Sequence, residues 1–112
     1  MTLKSINSRS GSRIKHIVMW NLIGNTIDDK TRAAQIVKSR FEGLIGMIPG
    51  LSFLEIGIDI SHVSYACDVV LYSEFESLEA LNLYAIHPEH LRIRNELEGV
   101  RIARYQVDYV SE

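Results

Sequence analysis

Tyr84, His87 and His90 fall within one short run, Tyr84-Ala85-Ile86-His87-Pro88-Glu89-His90. One phenol and two imidazoles so close together are the groups best suited to moving protons at or above neutral pH. Pro88 lies between them. Proline lacks a backbone N–H and clashes with the carbonyl four residues back, so a helix arriving from residue 78 ends just before it. Proline also suits the first position of a new helix, which makes His87 the N-cap and puts Glu89 and His90 in the new first turn. Glu89 there complements the positive end of the helix dipole. The expected result is a bent helical segment that holds Tyr84, His87 and His90 around the break.

The rest of the chain must position this bend. Its 112 residues suffice for one domain with a single modest core. A composition of 46% hydrophobic and 23% charged residues marks a soluble globular chain. Lys4, Arg9 and Arg13 stand in the first thirteen residues without an acid, so the remainder holds nine basic and fourteen acidic side chains, a net of −5. An acidic body without a basic stripe argues against nucleic acid and against an anionic membrane surface. No apolar run approaches the roughly 20 residues that span a bilayer. The single cysteine, Cys67, cannot form an internal disulfide and points to a reducing compartment, the cytoplasm.

Residues 1–12, rich in Ser, Gly and Asn, read as a disordered tail. The domain is expected over 13–112. Residues 13–22 alternate as a first strand, with Ile14, His16, Val18 and Trp20 on one face and Lys15, Ile17, Met19 and Asn21 on the other. A helix capped by Asp28 or Asp29 is expected to run to about Met47. Ala34, Val37, Phe41, Leu44, Ile45 and Ile48 form its apolar face, and Gly46 to Pro49-Gly50 ends it. Residues 51–60 and 65–73 read as a strand pair joined by a turn, Ser77 caps the bent helix, and Gly99 stops it. Residues 100–110 form the last strand, with Ala103, Tyr105, Val107 and Tyr109 facing opposite to Arg104, Gln106 and Asp108.

The order strand, helix, strand, strand, helix, strand is the α+β ferredoxin-like split βαβ repeat: a four-stranded antiparallel sheet with helices on one face. The first and third strands are apolar on both faces, so the uncovered face needs a partner. A second copy stacked on it closes a dimeric α/β barrel, and an obligate homodimer is expected. Arg104, Gln106 and Asp108 are expected in that dimer core or at its rim, where they need partners.

The motifs that accompany this order resemble the stress-responsive α/β-barrel domain (Dabb) family. They are Ile14-Lys15-His16-Ile17-Val18, Ile48-Pro49-Gly50, Asp68-Val69-Val70-Leu71, Phe75-Glu76-Ser77, the run from Tyr84 to His90, and Val107-Asp108-Tyr109, across residues 13–110. Most members of that family have no established reaction. A plant branch closes poly-β-keto chains by an intramolecular aldol reaction without metal or organic cofactor. The resemblance places that branch's tyrosine and second histidine at Tyr84 and His90, and its first-strand histidine at His16. A further pocket histidine of the branch has Val69 in its place here.

Three functions follow as expectations. The first is a binding domain that holds a small apolar or aromatic molecule between sheet and helices. The second is a cofactor-independent cyclase or isomerase of carbonyl compounds. Enolisation needs a base near neutrality and a donor for the developing oxyanion, roles assigned to His90 and Tyr84. His16, Trp20 and His87 are assigned to the pocket, with Phe53 and Tyr65 as further apolar lining. The third is a structural stress protein in which Tyr84 merely packs and His87 merely caps. His87 and His90, with Glu89, His16 and Asp68 nearby in sequence or fold, lack a recognisable ligand spacing, and no metal is expected. No glycine-rich strand–turn–helix fingerprint is present, so no haem, flavin or nicotinamide is expected.

Overall fold

The computed structural model describes residues 12–111, so the expected tail, apart from Ser12, lies outside the described residues. The elements run β1 (Arg13–Leu22), α1 (Ile27–Glu42), β2 (Leu51–Ile58), β3 (Val69–Phe75), α2 (Leu78–Ala85), α3 (Pro88–Glu96) and β4 (Arg101–Ser111). One four-stranded antiparallel sheet has the order β2-β3-β1-β4. This is the split βαβ arrangement, with the second helix divided at His87-Pro88 as the proline requires.

Alternation along the strands decides what each face meets. Ile14, His16, Val18 and Trp20 of β1 are buried beside Leu54 and Ile56 of β2 and Val69, Leu71, Ser73 and Phe75 of β3. Ala34, Val37 and Phe41 of α1 and Tyr84 and Ile93 of the bent segment close over them. Ile45, assigned to the apolar face of α1, is instead exposed, because α1 ends at Glu42 and the chain continues through Met47 as turns.

The N-cap of α1 is Thr26 and not Asp28 or Asp29: its hydroxyl accepts the Asp29 N–H at 3.0 Å. The two aspartates supply first-turn charge instead. β3 begins at Val69 rather than near residue 65. The Asp59 carboxylate accepts the Ser61 hydroxyl and the His62 N–H, which ties residues 59–62 into a local turn. Asp68 then accepts the Leu22 N–H at 2.7 Å and pairs with Lys30 at 3.3 Å, sealing the end of β1 before β3 starts. At Pro49-Gly50 the glycine has φ +80°, and a Cβ there would stand 2.5 Å from Ala80 Cβ, so this turn is where α2 meets the sheet at backbone distance.

Two charged residues of α1 hold the edge strand. Glu42 accepts the Ile56 N–H at 3.2 Å, and Lys38 donates to the Ile56 carbonyl at 3.2 Å and to Glu42 at 2.7 Å. Their positions outside the apolar stripe suggest solvated side chains, but the pair caps backbone groups of β2 that no strand reaches.

Arg104, Gln106 and Asp108 correct a further expectation. Asp108 is the register partner of His16 and Gln106 that of Val18, so all three lie on the helix side of the sheet and not on the open face. The open face carries Ile17, Met19, Phe53, Tyr105, Val107 and Tyr109.

Candidate active site

Tyr84 sits in the last turn of α2 with 3% of its surface exposed. Ser77 caps that helix through its hydroxyl, which accepts the Ala80 N–H at 3.1 Å and fixes the first turn of the helix. Three rings pack on the phenol: His90 at 4.2 Å between centroids, Phe75 at 5.0 Å and His16 at 6.1 Å. The Tyr84 hydroxyl is buried and has no hydrogen-bond partner among the described residues. Burial also pushes its pKa up, against the pull of Arg101 and Arg104, so the phenol remains a protonated donor.

His90, in the first turn of α3, is half-buried and is the one partly exposed ring of the three around Tyr84. Its Nδ1 lies 3.3 Å from the Ala85 carbonyl. A carbonyl only accepts, so Nδ1 carries the proton and Nε2 keeps a lone pair. Burial drives the His90 pKa down to about 4, assisted by Arg94, Arg101 and Arg104 and opposed by the bond to Ala85. The ring is therefore neutral at physiological pH.

His16 is 5% exposed and donates from Nδ1 to the Asp108 carboxylate at 2.5 Å. That bond fixes its tautomer and orientation. Asp108 carries no pocket role in the sequence reading; the link needs the β1–β4 register, although the alternation of β4 already puts it on one face with Arg104 and Gln106.

The structure thus gathers Tyr84, His90 and His16. Trp20 stands one ring away, stacked on Phe41 at 5.3 Å, and Phe41 is 6.4 Å from His90. His87 serves as the cap of α3, its Nδ1 accepting the Glu89 N–H at 3.1 Å. Phe53 and Tyr65 do not line this site. Phe53 lies on the open face against Tyr72, and Tyr65, 88% exposed, stands in the loop before β3.

The low His90 pKa has a thermodynamic consequence with a definite sign. The unfolded chain takes up a proton near the ordinary value of about 6.5, and the folded chain only near 4, so folding is opposed as pH falls through that window. Stability is expected to drop by about 1–2 kcal/mol between about pH 7 and pH 5, allowing for partial solvent screening of the ring. Urea unfolding of the native chain and of His90→Gln checks this: the variant should lose most of that slope, and an identical slope in both would refute it.

The profile of the stress responsive A/B barrel domain family matches residues 14–111. The chain belongs to that family. A relative within it, the stress-response A/B barrel domain-containing protein DABB1 of Arabidopsis thaliana, is 46% identical over 43 residues, which are 38% of this chain and 20% of that protein. The chain therefore aligns with only about a fifth of that A/B barrel protein's length. Among solved structures, a dimeric protein of unknown function with a ferredoxin-like fold from Bacteroides fragilis superposes with a TM-score of 0.78 at 29% identity, covering 88% of this chain and 96% of the other. A hydroxynitrile lyase from Passiflora edulis shares the fold, with a TM-score of 0.73 at 15% identity, covering 91% and 95%. Members of the A/B barrel family and its structural neighbours thus include proteins without a known activity as well as an enzyme. Among the described residues of this A/B barrel chain no helix is long and apolar enough to cross a membrane.

Proposed function

We propose that the protein binds a small apolar or aromatic molecule bearing a carbonyl oxygen, which accepts a hydrogen bond from Tyr84 between the bent helix and the sheet. The observation that carries this reading is the orphaned Tyr84 hydroxyl. A buried donor without a partner costs about 1–3 kcal/mol, and native cores retain few of them. His90 is the ring to be displaced when a ligand enters, since one bond of 3.3 Å holds it and its neighbours on Tyr84 are fully enclosed. Phe75 and Phe41 supply the apolar walls.

A second reading rests on the pair itself. A neutral His90 with a free Nε2 beside a protonated phenol is a base next to an oxyanion donor, the arrangement that enolisation of a carbonyl compound needs. A pKa near 4 makes it a weak base, so binding takes precedence over catalysis.

The functional unit is a homodimer over the domain at 13–112, closed by stacking the open sheet faces of two copies. The exposed apolar side chains of that face support it, as does the dimeric Bacteroides fragilis relative. The lone Cys67 fits a reducing, cytoplasmic setting, and the acidic body fits a small-molecule partner better than nucleic acid.

Titration of the full chain with acetophenone, followed by Trp20 emission and calorimetry, tests the binding reading. Saturable binding is expected, at least tenfold weaker in Tyr84→Phe and at least tenfold weaker for ethylbenzene, which lacks the oxygen. Equal affinities across these pairs would overturn the role of Tyr84. Absence of saturable binding would return the protein to a structural role.

A further inference from the structure

A concave region lies on the helix side of the sheet, between α3 and the start of β4. It is an open groove of about 800 Å³, lined by Trp20 and Leu91 on its apolar side and by Arg94, Arg101, Arg104 and Glu98. Tyr84, His90 and His16 are not among its lining residues.

Arg94, Arg101 and Arg104 are distinctive because, among the described residues, none of the three is held in an ion pair. Arg92, on the same helix as Arg94, pairs with Glu89 at 2.8 Å and Glu96 at 2.7 Å, and Arg40 also reaches Glu96 at 3.0 Å. Arg101 is held in place from below, its guanidinium 4.8 Å above the Trp20 ring and 5.7 Å from Phe41. Arg104 is oriented by a bond to the Gln106 amide oxygen, and Gln106 in turn donates to Asp108 at 3.0 Å. Burial lowers the Arg101 pKa, and the neighbouring charges of Arg104 and Arg94 add to it, opposed by Tyr84. In a chain of net charge −2, three guanidiniums against one glutamate give this groove a local excess of about two positive charges.

We propose that this groove binds small molecules through a phosphate monoester, the dianion resting on Arg94, Arg101 and Arg104 and an apolar body lying against Trp20 and Leu91. The charge excess matches a dianion better than a carboxylate, and planar guanidiniums meet phosphate oxygens in paired hydrogen bonds. Oriented arginines lose less freedom on binding than free ones, and two of the three are oriented before any ligand arrives. The groove adjoins the Tyr84 site, with Trp20 and Phe41 lying between the two, but Tyr84 is not in its lining and the proposal does not rest on the carbonyl-binding reading.

Calorimetric titration of the full chain with phenyl phosphate, benzoate and phenol tests the assignment. Phenyl phosphate is expected to bind at least tenfold more tightly than either of the others, and to weaken as salt is raised. Arg94→Gln, at an exposed helical position, and Arg104→Gln should each weaken phenyl phosphate several-fold, with melting temperatures confirming that both variants fold. Tyr84→Phe should leave phenyl phosphate binding unchanged, so failure here is distinguishable from failure of the Tyr84 site. Equal binding of phenyl phosphate and benzoate, undiminished binding in both arginine variants, or no binding by any of the three would overturn the proposal.

Discussion

Tyr84→Phe is expected to melt at a higher temperature than the native protein. The phenylalanine ring keeps the contacts with His16, Phe75 and His90 and removes a hydroxyl that is buried without a partner. Relief of an unsatisfied buried donor is worth about 1–3 kcal/mol. In a domain of this size each kcal/mol moves the midpoint by roughly 4–8 °C, so a rise of about 5 °C or more should be visible by calorimetry. A core substitution that stabilises while abolishing binding identifies a group retained for function at the expense of the fold. A midpoint unchanged or lowered would mean that the hydroxyl already has a satisfied environment, and the functional reading of Tyr84 would fail with it.

Val107→Asp is expected to separate the two copies. Val107 lies opposite Ile17 in the β1–β4 ladder, on the open face, with Met19 opposite Tyr105 one step along. In a two-fold contact a single substitution enters twice, so two carboxylates would be brought together in a largely apolar contact. The dimer should dissociate on the order of a hundredfold more readily, or more, in sedimentation measurements across a concentration series. Ile60→Asp is the control: Ile60 is 91% exposed in the loop after β2, outside the sheet, and its replacement should leave the assembly intact. A native chain that sediments as a monomer, or a Val107→Asp chain that stays paired, would remove the barrel.

The parts of this structure that could be read from sequence are those decided within a few residues. The division of α2 from α3 is written in His87-Pro88, where a missing N–H and a fixed φ act locally, and the cap at Ser77 is equally local. The inward set of β1 follows from strict alternation. What escaped depended on register or on loop chemistry. Asp108 meets His16 across 92 positions, and only the β1–β4 alignment reveals that the helix side carries Arg104, Gln106 and Asp108. Tyr65 has a strand former's side chain, yet Asp59 holds the chain in a turn and Asp68 closes the end of β1 first. Arg92 finds Glu89 and Glu96 at helical spacing within α3 itself, but the arginine groove is silent in sequence, because only the packing of α3 against the sheet brings Arg94 beside Arg101 and Arg104.

The latch that Lys38 and Glu42 throw over Ile56 has a further effect, on what the protein avoids. β2 is a sheet edge, and an edge with free amide and carbonyl groups is a template for any unfolded segment that drifts past. With both backbone polar groups of Ile56 already engaged, this border offers no continuous row on which a stray strand could polymerise. The β2 border thereby carries its own local guard against strand addition.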